Sequence, residues 1–150
     1  SIELTNQIMI ETCILNHPKG ATGYRVKFEG KSVCYVTDTE HKKEGLDENI
    51  LKLAEDSDLL IYDSTYTEEE YPNYVGWGHS TWQEGLRLSK EAGVKNYAIF
   101  HHDPAHDDDF MDKVDLKAKK EFVHAFVAKE GMEISFEGDR VNFGTFDDKP

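Results

Sequence analysis

The sequence predicts an α/β chain with a partly mixed sheet, and three observations carry that reading. The first 36 residues alternate apolar and polar positions around glycine-containing turns, as strands and a hairpin do. From residue 47 onward, helical and strand periods take turns. Two short continuous apolar runs, Leu59-Leu60-Ile61-Tyr62 and Tyr97 to Phe100, have the make-up of strands buried on both faces.

Each element has its own justification. Gln7 to Leu15 places Ile8, Ile10, Thr12 and Ile14 on one side of a strand, and Asn16 to Gly20 turns the chain. Tyr24 to Phe28 alternates, Glu29-Gly30-Lys31 turns, and Ser32 to Val36 returns as a second strand. Asp47 caps a helix reaching Glu55, whose apolar stripe is Ile50, Leu51, Leu53 and Ala54. Ser80 to Ala92 is the best-delimited helix: Ser80 with Gln83, or Thr81 with Glu84, makes a capping box, and Gly93 stands where a helix stops. Asp108 to Lys129 reads as one long helix with Phe110, Val114, Phe122, Phe126 and Val127 on its apolar face, stopped by Gly131. Met132 to Phe136 and Val141 to Phe146 form a final hairpin through Glu137-Gly138-Asp139.

The 150 residues suit one domain, able to bury roughly 68–70% of its unfolded surface. Lys plus Arg is 17 and Asp plus Glu is 30, for a net charge of −13. That balance excludes a broadly basic nucleic-acid or anionic-membrane binder, although bound cations can invert the field locally. No apolar run approaches the ~20 residues of a membrane span. Cys13 and Cys34 lack CxxC spacing and read as buried thiols of a cytoplasmic protein, or as a disulfide between neighbouring strands. No secretory signal is visible, and the chain starts at Ser1 directly before a strand-like run, so either Met was removed or the chain begins mid-protein.

Ligand chemistry in α/β sheets gathers at the carboxyl ends of strands. Four strands here run into candidate ligands: Leu15 into Asn16-His17, Thr37 into Asp38, Tyr62 into Asp63, and Phe100 into His101. Gly78-His79-Ser80-Thr81 opens a helix and adds an imidazole beside free backbone N–H groups. Taken singly, Asp38 and Asp63 also fit turn residues, His79 a residue preceding a cap, and His17 a surface loop. The segment His101 to Asp109, with three histidines among four acids after Phe100, is harder to read as a solvated loop. His41 and His124 read as surface histidines, and Trp77 and Trp82 as core aromatics or pocket walls flanking His79.

Five strings in order resemble the metallo-β-lactamase-fold hydrolases, in particular the ribonuclease Z-like phosphodiesterase branch. They are Leu15-Asn16-His17-Pro18 with Gly23-Tyr24-Arg25; Tyr35-Val36-Thr37-Asp38-Thr39-Glu40-His41; Asp58 to Tyr66; Gly76-Trp77-Gly78-His79-Ser80-Thr81; and Phe100-His101-His102-Asp103-Pro104. The resemblance covers about residues 8 to 115. It implies His17, Asp38 and His101 as metal ligands, Asp38 bridging two divalent ions (Zn, or Mn or Fe), and His79 as a residue contacting phosphate or protonating the leaving group. It implies a supporting role for Asp63, and leaves the roles of His102, Asp103 and His106 open.

The family's HxHxDH motif is absent from the sequence. The resemblance therefore implies the C-terminal half of a four-layer αββα sandwich, a partial domain over 1–150 without internal boundary. On the expected assignment, one ion keeps His17 and Asp38 and the other Asp38 and His101. A catalytic zinc takes three protein ligands, so the chain alone is expected to bind metal weakly and to be inactive. The acidic balance, and the lack after His101 of the arginine-bearing continuation that the resemblance to that branch would imply, point to a small phosphodiester such as a cyclic nucleotide rather than folded RNA. A missing N-terminal half, a complementing chain or a homo-oligomer would cover the apolar sheet face. The competing readings are a non-enzymatic half-domain that acts by pairing, and an acidic metal buffer, which leaves the strand-end histidines unexplained.

Overall fold

In a computed structural model, residues 1–5, 7–138 and 140–145 are described. The chain first lays down four antiparallel strands: β1 (Ile2–Thr5), β2 (Ile8–Leu15), β3 (Ala21–Phe28) and β4 (Lys31–Val36). Three crossovers follow, through α1 (Glu48–Ala54) to β5 (Leu59–Asp63), α2 (Trp82–Glu91) to β6 (Tyr97–Phe100), and α3 (Asp108–Glu121) to β7 (Ala125–Val127). β4 to β7 are parallel neighbours, so seven strands make one mixed sheet in sequence order. The fold class expected from the pattern is borne out. β1 is the strand-like run that directly follows Ser1.

Side-chain alternation splits the sheet into two faces. Cys34, Val36, Leu60, Tyr62, Tyr97, Ile99, Ala125 and Val127 point to the helices and form the main core with Ile50, Leu53, Leu86, Leu88, Val114 and Ala118. On the opposite face, β8 (Met132–Glu137) pairs with β9 (Arg140–Thr145) as a separate hairpin. Its Met132, Ile134 and Phe136 cover Leu59, Ala98 and Phe126. The antiparallel half of that face is bare: Tyr24, Val26, Phe28 and Tyr35 are about 40% exposed and Ile14 is 76% exposed. The expected hairpin is present, while Asp139 and Phe146 lie outside the described residues.

The helix caps follow the sequence. Asp47 accepts from Asn49 N–H, Thr81 from Glu84 N–H, and Asp107 from Phe110 N–H. The long helix to Lys129 is corrected: α3 ends at Glu121, and Phe122 turns into extended backbone. The segment after it must bury residues on both faces of a sheet, Phe126 under the hairpin and Ala125 and Val127 under the helices. A helix presents one stripe and cannot serve both, whereas a strand can. Tyr97 N–H donates to the His124 carbonyl and Ala128 N–H to that of Ile99, completing the edge. Both cysteines are free thiols, and burial pushes the Cys34 thiol up to about 11.

Candidate metal centre

The sheet gathers the site. β2 and β4 both run opposite to β3, so their carboxyl ends share the edge where β5 and β6 also end. His17, Asp38, Asp63 and His101 therefore meet there, and the chain entering α2 brings His79 to the same edge. Asp38 and His101 both have positive φ, 59° and 63°. Such backbone is uncommon for residues with a side chain, and its appearance at two strand ends of one cluster marks a functional constraint.

Ligand atoms of Asp38, His79 and His101 all lie within 4.8 Å of one another. His101 Nε2 stands 3.8 Å from Asp38 Oδ1, and the His79 and His101 rings stack with centroids 5.0 Å apart. Beneath them lies Asp63, fully buried. Its Oδ2 accepts from Asp38 N–H at 2.8 Å and lies 3.0 Å from His79 Nδ1. Its Oδ1 accepts from Thr65 Oγ1 at 2.8 Å and Ser80 N–H at 3.2 Å. A carboxylate so occupied orients its neighbours and has no free lone pair for a cation. The hydrogen bond to Asp63 raises the basicity of His79 against its partial desolvation, with the charges of Asp63, Asp38 and Glu40 adding.

His17 stands beside this group. Its ring is 6.3 Å from that of His79, and its Nδ1 accepts from Lys19 N–H at 3.2 Å. The structure thus regroups the expected residues: Asp38 and His101 meet with His79, and His17 sits one ring away. Of the three histidines after β6, only His101 faces the cluster. His102 Nε2 contacts the Ile99 carbonyl at 2.9 Å, and burial lowers its pKa despite that bond. His106 bonds Glu70 at 2.8 Å and stacks on Phe110, while Asp103 closes a turn through Ala105 N–H.

Two positioning residues escaped the sequence reading. Thr65 Oγ1 lies 3.1 Å from His101 Nδ1 and 2.8 Å from the His101 carbonyl oxygen, so its one hydroxyl proton is shared between that carbonyl and Asp63. Glu40 accepts from Gly76 N–H, Gly78 N–H and Tyr71 Oη, fastening the loop that carries His79. The Asp63-Ser64-Thr65 turn was a signal for the first; nothing local marks the second. His41, expected at the surface, is partly buried, with Nδ1 3.0 Å from Ser80 Oγ and its ring against Tyr71.

Residues 10–102, which include every residue of the site, match the family model described as a beta-lactamase superfamily domain. The chain belongs to this superfamily. Ribonuclease Z from Sulfurisphaera tokodaii is 33% identical over 106 residues, covering 71% of this chain and 33% of that protein. The chain thus spans about a third of the length of this curated relative. The metallo-beta-lactamase fold protein YhfI from Bacillus subtilis superimposes with a TM-score of 0.71 at 22% identity, over 95% of this chain and 51% of YhfI. A diphosphatase of the PhnP family gives 0.63 at 16% identity, over 91% of this chain and 46% of that one. These two likenesses show the fold. The family resemblance read from the five strings is borne out.

Proposed function

We propose that this superfamily domain supplies part of the catalytic centre of a metal-dependent hydrolase that cleaves a small phosphodiester, such as a cyclic nucleotide. The observation that carries the reading is the meeting of Asp38, His79 and His101 at the strand ends of a β-lactamase superfamily domain. The set fits a divalent cation, since carboxylate and imidazole together suit Zn, with Mn or Fe as alternatives. Asp38 and His101 would hold it, and Asp38 with His17 would contribute to a second such ion. Bound ions of this kind supply Lewis-acid charge and a water of lowered pKa.

The residues of the chain do the rest. Asp63 fixes His79 through Nδ1, which leaves Nε2 to face a phosphoryl or leaving oxygen and to donate a hydrogen bond or a proton there. Thr65 holds the His101 ring from the other side. The net charge of −13 disfavours folded RNA and leaves a compact phosphodiester as the substrate class. Two free thiols suit the reducing cytoplasm.

The absence of HxHxDH from the sequence, the 33% share of the ribonuclease Z relative and the bare apolar sheet face support a further part of the proposal. The chain is the C-terminal half of an αββα sandwich and is inactive alone. Metal titration and a phosphodiesterase assay, run on the 150-residue chain and on the native full-length protein, test it. Stoichiometric Zn or Mn with turnover in the short chain would sink this part. Substituting His79→Ala in the full-length enzyme is expected to lower turnover by roughly 10²–10⁴-fold with metal content intact; equal loss of metal would make His79 a ligand. The bare face also favours a second reading, a non-enzymatic half-domain that pairs with another chain, which gains if the full-length protein binds metal without turnover.

A further inference from the structure

Trp77 is the strongest feature that the catalytic reading leaves unused. Tryptophan is highly buried on average, yet Trp77 is 63% exposed while Trp82, five residues on, is 5% exposed. The exposed ring sits on a fastened turn. Gly76 and Gly78, on either side of it, have φ of 89° and 88°, and both of their N–H groups donate to the Glu40 carboxylate. Trp77 N–H itself donates to the Tyr74 carbonyl. A Cβ at Gly78 would run into the His17 ring, within 2.7 Å of Nε2, so glycine is required where this turn presses on the site.

The turn also fixes where the indole stands. Trp77 is two residues from His79, so their Cα atoms are at most about 7 Å apart. From His79 a row of rings leads outward: Tyr66 lies edge-on to it at 6.3 Å, Tyr74 stacks on Tyr66 at 4.2 Å, and Trp77 meets Tyr74 edge-on at 5.4 Å. Tyr66 at the inner end is buried, Tyr74 is half-buried, and Trp77 offers its surface to solvent.

We infer that Trp77 is the platform on which a phosphodiester substrate rests a nucleobase. The inference rests on the function proposed above and narrows its substrate to a nucleoside phosphodiester. Stacking uses the π-face of the base and is indifferent to the acidity that repels long phosphate chains, so it suits a strongly negative chain. An indole carried on backbone that a carboxylate fastens on both sides, and set edge-on to Tyr74, loses less freedom on binding than one on a loose loop, which strengthens the contact.

The test uses the native full-length protein and the emission of Trp77, taken as the difference between wild type and Trp77→Phe. The probes are adenosine, adenosine 5′-monophosphate and ribose 5-phosphate. Both adenine compounds are expected to quench that emission saturably and ribose 5-phosphate to leave it unchanged. Trp77→Ala should weaken the adenine compounds roughly 5- to 100-fold, with ribose 5-phosphate binding and metal content unaltered. Adenosine needs no metal, so its result stands even if the hydrolase reading fails; hydrolysis without adenosine quenching sinks the platform alone. Equal binding of the adenine and base-free probes would overturn the inference. So would shielding of Trp77 from acrylamide in the full-length protein, which would show the ring covered by protein.

Discussion

At the scale of single residues, the site is organised by a group that has no room for a ligand of its own. Asp63 is fully buried, and its oxygens take hydrogen bonds from Asp38 N–H, Thr65 Oγ1 and Ser80 N–H while also holding His79. Asp63→Asn turns one acceptor into a donor against backbone N–H groups. The expected result is a loss of about 1–3 kcal/mol in urea unfolding. In the full-length protein, metal affinity measured by calorimetry should fall by roughly 10–100-fold, as for other orienting partners. The sequence could indicate His17, Asp38, Asp63 and His101, because residue type and strand-end position coincide there, and His79 from its place before a helix start. Residue type and position alone could not separate their roles, which depend on which nitrogen or oxygen is already engaged; the family resemblance is what divides them into ligands, proton donor and support. His102 and His106 show the limit: one and five residues after His101, they turn instead to the Ile99 carbonyl and the Glu70 carboxylate.

At the scale of elements, periodicity located nearly every strand and helix, and it failed where a helix and a strand share apolar spacing. Phe122, Phe126 and Val127 fit a helical stripe on paper; only the neighbouring β6 edge and the overlying hairpin decide that Ala125–Val127 extends. Packing also overrides propensity at Gly85 in α2. Alanine is ordinarily about 1 kcal/mol better than glycine inside a helix. Here a Cβ would meet the Tyr97 hydroxyl and stand 2.6 Å from Tyr62 Cδ1, so Gly85→Ala is expected to destabilise by about 1–3 kcal/mol by thermal or urea unfolding. Asp58 ties β5 to its neighbours, accepting from Ser32 N–H at 2.9 Å, Lys31 at 3.3 Å and Lys95 at 3.1 Å. Burial pushes its carboxyl up, but these bonds outweigh burial and hold it below the ordinary aspartate value. A depressed folded pKa gives stability that is complete above the ordinary aspartate range and is lost as pH falls through the folded value. The stability gap between wild type and Asp58→Asn should be constant near neutrality and shrink on acidification; an unchanged gap under acid conditions would refute the linkage.

At the scale of the whole molecule, one sheet face is complete and the other is half covered. Val26, Tyr24, Tyr35 and Phe28 form the centre of the open half, each about 40% exposed on neighbouring strands. For the isolated chain, concentration-dependent association by sedimentation is expected, and Val26→Lys should suppress it without lowering unfolding stability. A clean monomer for the unsubstituted chain would count against the need for a covering layer. Length and composition alone fit a single domain; the order of the motifs and the bare face are what support the half-domain proposal instead.

The arrangement of β2, β3 and β4 carries one more consequence, for how the chain tolerates change. His17 leaves the sheet before two reversals of direction and Asp38 after them, and an even number of reversals brings both to one rim. Loops between them can lengthen at little thermodynamic expense. Deleting or adding a single strand would change the parity and carry the imidazole to the opposite rim, a sheet's length from the aspartate. Whatever else varies between His17 and Asp38, the count of strands separating them must stay even.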